Sequence, residues 1–383
     1  MNYQKRLNNI RLLLRVLVRG IIRGPADKSP ETVSRIIVVP TGKLGDVVCT
    51  TPVLAAVRAH FPKAHLIVGG NSKLHKLILA NSKLVDEYLE LENNEDAINQ
   101  IKKCHIDVAL LTGPSFELAA PIYLAGVPLI TAPEVLGGCS TQATRPYKVL
   151  LRFLKKFPYR IGEYVPRERL RCLEPIGIID DDTKKHLGFS DIADEKVNQF
   201  LVDNRIDRMK DFVIGLTPTA GHKIKEWPED RFAQVADYLT AKYSAKVIII
   251  GGPKDKEKVE KTRSYLNPET KVTEIIDFNI DELKALISML HLFISVDTGP
   301  IYIAEAFDIP TIDITGPIDE KEQPPRGLMH RNVVPPQRLH PELFVLNAKS
   351  YNKEEALRQV MSITSPMVKD AADLLIADIK RQR

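Results

Sequence analysis

The chain is poor in cysteine, in long apolar runs and, at its start, in acid. Four cysteines, Cys49, Cys104, Cys139 and Cys172, lie more than 30 positions apart with no C-x-x-C pair. That spacing excludes a disulfide framework and a thiolate zinc site and suits a reducing compartment. No stretch offers the about 20 apolar residues of a membrane-spanning helix. The longest uncharged one, 118–133, carries three prolines and a glycine. A signal peptide is not expected either, since Arg15, Arg19 and Arg23 interrupt the apolar start and no small-residue cleavage site follows. Acid is missing from residues 1–24, which hold six Lys or Arg; the rest of the chain has 48 basic against 49 acidic residues. The formal charge of +5 is therefore a local feature, and no basic face for nucleic acid is expected.

What is present is an ordinary globular composition, 44% hydrophobic and 27% charged, in 383 residues, long enough for two hydrophobic cores. From Arg35 onward short β-branched runs alternate with helical periodicity, the pattern of α/β folds with parallel sheets. Strands are expected at 35–41, 64–70, 85–91, 106–112 and 127–133, and again at 212–218, 246–252, 273–278, 291–297 and 309–315. Two Rossmann-like halves follow, over 31–205 and 206–350. A separate helix is expected within 1–30, and a C-terminal helix within 351–383 that packs back across the junction. Between the halves, 134–210 has no clear strand rhythm. Its part 134–172 holds nine Lys or Arg and reads either as a solvated excursion or as a surface for an anionic acceptor.

In open parallel sheets ligands gather where strands end. The first such turn, PTGKLGDVVCTTP (40–52), has Gly42 and Gly45 for positive φ angles and Asp46 ahead of an apolar helix at Val47–Val57. Asp46 reads as a helix N-terminal residue complementing the dipole, or as a general base. It is neither a P-loop nor a G-x-G-x-x-G fingerprint. The second half opens with TPTAGHKIKEWPEDRF (217–232), whose Thr217, Thr219, His222, Lys223 and Lys225 suit a diphosphate. In ISVDTGPIYIAEAFDIPTIDITGP (294–317) a strand ends at Asp297, Thr298 can cap, Gly299 lets backbone N–H groups approach a ligand and Pro300 starts a helix, the arrangement by which helix N-termini bind phosphate.

Together, KLGDVVCTTPVLAAVRAHFP (43–62), TAGHKIKEWPEDRFAQVADYL (219–239), VIIIGGPKDKE (247–257) and SVDTGPIYIAEAFDIPTIDITGP (295–317) resemble glycosyltransferase family 9, the lipopolysaccharide core heptosyltransferases. The resemblance implies a GT-B architecture, two Rossmann-like domains facing a central cleft, and an inverting transfer with neither metal nor cofactor. Its Gly-Asp turn falls on Gly45 and Asp46, making Asp46 the catalytic base. Its lysine before Trp-Pro falls on Lys225, which would stabilise the donor diphosphate, and its Asp-Thr-Gly-Pro turn falls on Asp297, Thr298, Gly299 and Pro300. Two positions depart from the pattern: Tyr302 stands where the family usually has histidine, and Lys254 where it commonly has an acid near the nucleotide ribose.

The reading is thus a cytoplasmic heptosyltransferase taking ADP-heptose as donor and an anionic, lipid-linked oligosaccharide as acceptor. A transferase of another nucleotide-sugar, a nucleotide-sugar 2-epimerase of similar fold and a non-catalytic sugar-nucleotide binder are the alternatives. Arg11, Arg15, Arg19 and Arg23 recur every four residues, so residues 1–24 form a basic amphipathic helix. Such a helix either docks on the protein body or lies on the inner face of the cytoplasmic membrane.

Overall fold

The computed structural model describes residues 3–92, 94–347 and 349–382. The chain divides into two compact units, Met1–His186 with Val345–Asn347, and Leu187–Phe344 with Ala348–Arg383. The first unit is built on β1 (Arg35–Val39), β2 (His65–Gly70), β3 (Glu87–Glu90), β4 (Val108–Leu111), β5 (Leu129–Leu136) and β6 (Lys155–Arg160). The second is built on β7 (Val213–Thr217), β8 (Lys246–Ile250), β9 (Val272–Ile275), β10 (Leu292–Val296), β11 (Thr311–Ile314) and β12 (His330–Val333). The sheet orders are β3-β2-β1-β4-β5-β6 and β12-β11-β10-β7-β8-β9, and every ladder between these strands is parallel. Read from β9, the second order is the first repeated. In each, the strand order reverses beside the strand that opens the unit, β1 or β7, which is where such sheets place ligands.

All ten expected strands form; the central ones are runs of Val, Ile and Leu buried on both sides, whereas the edge strands β3 and β9 are only half-buried. Two were not anticipated. β6, in the basic stretch, reads Lys-Lys-Phe-Pro-Tyr-Arg, with Phe157 and Tyr159 buried and the charges turned out. Its charge and Pro158 suit the sheet edge it occupies. The stretch 134–172 is therefore in large part folded, with helices Arg145–Leu150 and Val165–Leu170 beside the edge strand. β12 is the corresponding edge of the second sheet.

Three helices differ from expectation. The helix expected from Val47 to Val57 is two, Leu44–Val48 and Thr51–His60, separated at Cys49 and Thr50 just before Pro52. The C-terminal helix is also two, Lys353–Ser362 and Ser365–Gln382, parted where Ile363 is extended, with Pro366 in the first turn of the second helix. The Ile363 carbonyl freed at the break accepts a 2.8 Å bond from Trp227 Nε1. Val360, Val368, Leu375 and Ile376 complete the second unit's core beside β11 and β12. Finally, the helix Asp191–Asp203 falls in the second unit, so the division lies at 186/187 rather than 205/206. Ser190 bonds Asp281 and Lys196 bonds Glu282.

The N-terminal helix, Tyr3–Arg23, lies against the first unit, with Leu12 and Val16 in its core. Arg15 pairs with Glu95, and the Arg19 guanidinium stacks 5.4 Å from the Tyr123 ring centre. The other face stays exposed, with Ile21 86% and Ile22 74% accessible. Among the described residues no helix is long and apolar enough to cross a membrane.

Candidate functional site

In the first unit the site forms where β1 ends. Gly42 has φ +107°, and a Cβ there would sit 2.2 Å from Asp46 Oδ2, so the turn requires glycine twice over. Gly45, expected in the same role, lies inside the helix Leu44–Val48, buried against its neighbours. The Lys43 backbone N–H donates to Asp46 Oδ2 at 2.8 Å, so Asp46 caps its own helix. The decisive partner is Arg169, 123 residues away. Its Nη2 donates to Asp46 Oδ1 at 2.8 Å and its Nη1 to Thr50 Oγ1 at 2.9 Å and to the Asp46 carbonyl. The Arg169 side chain is 2% exposed, that of Asp46 20%. Burial alone would lower the guanidinium's pKa; the Asp46 charge, helped by Tyr159 and Cys49, outweighs it and carries the value above the ordinary one. Glu168 fixes the helix bearing Arg169 by accepting from the Arg160 N–H (2.6 Å) and Arg171 Nε (2.7 Å).

His75 lies in electrostatic reach of Asp46 and is buried. Its Nδ1 would be 1.9 Å from a Cβ at Gly70, so the end of β2 must be glycine for the ring to fit. Burial lowers its pKa, an effect partly countered by the Ser72 backbone and the Asp46 charge.

In the second unit the expected residues at the ends of β7 and β10 converge. Lys225, on a single 3-10 turn at Lys223–Lys225, places its Nζ 2.5 Å from Asp297 Oδ2. The Tyr302 hydroxyl donates to Asp297 Oδ1. Thr217 is buried, and its Oγ1 has no hydrogen-bond partner among the described residues. Thr219 donates to Asp255 Oδ2 at 3.3 Å, and Asp255 also accepts from the Gly252 N–H at 2.9 Å. An acid is therefore at the end of β8 after all, one residue beyond the exposed Lys254. Thr298 stands in the N-cap position of the helix Gly299–Ala306, but its side chain makes no cap bond, unlike the cap expected of it; Pro300 is in the first turn. The first N–H groups of that helix thus lack a side-chain cap.

Asp313, on β11, is fully buried with both oxygens unpartnered among the described residues. Burial, then the neighbouring Asp297 charge, pushes its carboxyl well above the usual range, with Lys225 acting in the other direction. Arg169, His75, Asp255 and Asp313 were not singled out in the sequence. Asp313 alone left a signal, as the lone acid inside the apolar run IPTIDIT (309–315). Among the described residues no group of His, Cys, Asp or Glu could hold a metal.

The model of glycosyltransferase family 9 (heptosyltransferase) matches residues 163–342. Lipopolysaccharide heptosyltransferase 3 of Escherichia coli K12 is 24% identical over 287 residues, 72% of this chain and 80% of that one. Both the family model and the relative support a similarity of this chain to glycosyltransferase family 9. The chain is a glycosyltransferase. Its fold is that of the GT-B members of the family. A family 9 glycosyltransferase from Veillonella parvula superposes with a TM-score of 0.73 at 21% identity, over 92% of this chain and 99% of that one. E. coli ADP-heptose lipopolysaccharide heptosyltransferase II gives 0.68 at 17% identity, over 90% and 99%.

Proposed function

We propose that this glycosyltransferase moves a heptose from ADP-heptose to a lipopolysaccharide core or related acceptor, inverting the anomeric centre without a metal. The observation carrying the reading is Asp46, a carboxylate with one oxygen fixed by a buried arginine and the other by a backbone N–H, at the end of the first strand. A carboxylate so oriented is suited to take the proton of an acceptor hydroxyl while that oxygen attacks the anomeric carbon. The bond from that carbon to the diphosphate breaks, and its electron pair leaves with ADP. Lys225, the Thr217 hydroxyl and the first N–H groups of the helix Gly299–Ala306 would offset the charge growing on the departing diphosphate. The names of the matched relatives support heptose and ADP as sugar and nucleotide.

Transfer by Asp46→Asn should fall by about 10²- to 10⁴-fold with ADP affinity unchanged. Transfer at the wild-type rate would sink the base assignment. Tyr302 and Lys254, which depart from the family's pattern, favour a second reading with another nucleotide-sugar. Thermal shift with ADP, UDP and GDP separates the two, since the nucleotide bound most tightly raises the melting temperature most.

The exposed face of the N-terminal helix, with Leu14, Val18, Ile21 and Ile22 beside Arg11 and Arg23, supports peripheral attachment to the inner face of the cytoplasmic membrane, near a lipid-linked anionic acceptor. Each basic residue near an anionic surface contributes about 1 kcal/mol. Because Leu12 and Val16 belong to the core, the test leaves the helix in place. The protein should float with anionic vesicles, and Ile21→Asn with Ile22→Asn should release it; unchanged flotation rejects the attachment.

A further inference from the structure

An ionised carboxylate without partners does not persist in a sheet interior, because stripping its water costs several kcal/mol and the group takes up a proton instead. Asp313 occupies such a place. In the β10–β11 register it stands opposite Ser295, two residues before Asp297. Its neighbours Ile312 and Ile314 belong to the core on the opposite face, so strand alternation turns Asp313 toward the face bearing Ser295. The charged groups acting on it are Asp297 at the end of β10, Lys225 on the 3-10 turn and Glu305 on the helix Gly299–Ala306. Further along the same face, Thr311 bonds His330 of β12.

We infer that Asp313 is a positioning residue for Lys225, governing how readily its ammonium passes from Asp297 to a nucleotide diphosphate. The inference rests on the reading of Lys225 as the diphosphate ligand. While Asp313 is uncharged, Lys225 answers to one carboxylate, Asp297, whose other oxygen is occupied by the Tyr302 hydroxyl. Tyr302 supplies a hydrogen bond but no positive charge, so among the described residues Lys225 is the only cation bonded to Asp297. Once Asp313 loses its proton, two neighbouring carboxylates hold the ammonium, and the second also repels an incoming diphosphate. Donor affinity should then weaken as pH rises, through a residue that touches neither donor nor acceptor.

The test is calorimetric titration of the full chain with ADP from about pH 6 to about pH 9.5. Wild type, Asp313→Asn, Asp313→Ala and Lys225→Gln are compared. The ratio of the wild-type Kd to that of Asp313→Asn cancels the nucleotide's own titration. It should grow with rising pH as Asp313 loses its proton, by about tenfold in all, a charge effect equivalent to one pKa unit. Asp313→Ala should follow Asp313→Asn, which separates charge from packing and serves alone if the asparagine variant fails to fold. A ratio that stays constant with pH overturns the inference. If Lys225→Gln binds ADP like wild type, the diphosphate reading itself fails; if it loses binding while the ratio stays constant, only the role of Asp313 falls.

Discussion

Both units hold a carboxylate where a central strand ends, and they hold it in different ways. Asp46 is gripped by a guanidinium that is buried, forked and permanently charged, and that also bonds Thr50 and the Asp46 carbonyl. Asp297 is met by a lysine, a point charge on a flexible stem, and by a neutral hydroxyl. A forked arginine fixes the direction of a carboxylate and stays where it is; a lysine can move its charge to a ligand and return. The first arrangement suits a group that must be aimed, the second a group that must be released. The predictions below break one hold or the other.

Breaking the first should cost most. Arg169→Met would leave a carboxylate facing a desolvated wall, and removing one partner of a buried pair costs about 3–5 kcal/mol. The first unit should unfold at lower denaturant, and transfer should fall with it. Arg169→Lys, which has one nitrogen for three contacts, should regain only part of either. ADP affinity should stay at the wild-type value in both variants if the nucleotide belongs to the second unit alone. Wild-type stability in Arg169→Met would mean that the pair contributes nothing to holding Asp46.

The contrast was only half legible in the sequence. Lys225, Asp297 and Tyr302 fall within motifs that follow β7 and β10, strands whose adjacency is a property of the α/β pattern. Strand positions were legible for the same reason, since buried parallel strands write themselves as apolar runs. Arg169 was not, because it lies 123 residues from Asp46 on a helix beyond an unrecognised edge strand, and the surrounding basic residues read as solvent-facing charge. Nothing local separates Arg169 from Arg167 or Arg171; only the closure of the sheet by β6 decides which of the three is buried. The N-terminal helix docks on the protein body through Leu12 and Val16 and leaves its other apolar face exposed, an outcome that its periodicity alone did not separate from an undocked helix.

Weakening the second hold should have smaller effects, and they should appear in binding. A hydrogen bond to a charged group is worth about 1.5–3 kcal/mol, so Lys225→Gln should bind ADP about 10- to 100-fold more weakly. Tyr302→Phe removes a neutral donor from Asp297, a loss of about 1 kcal/mol. Lys225 would then be the sole side-chain partner of that carboxylate among the described residues and less available to a ligand, so ADP affinity should drop about fivefold. Equal effects of the two variants would mean that charge is not what distinguishes them.

The smallest effect, and the one that divides the units most cleanly, is the response of stability to pH. His75 is a buried base whose folded pKa lies below its unfolded value of about 6.5. Its unfolded form therefore binds protons that the native form refuses, so stability is full above about pH 6.5 and declines as pH falls. Asp313 is a buried acid whose folded pKa lies above its unfolded value. Here stability is full below about pH 3.8 and declines as pH rises toward the folded value. Acid should thus weaken the first unit and alkali the second. His75→Gln should flatten the acid limb of the melting temperature, and Asp313→Asn should raise it at neutral pH and flatten the alkaline limb, by about 2–4 °C for each 1 kcal/mol relieved. Scanning calorimetry of the full chain from acid to alkaline pH reads both limbs. If one variant flattened both limbs, the two buried groups would belong to a single cooperative unit, and the separation of the two holds would not extend to stability.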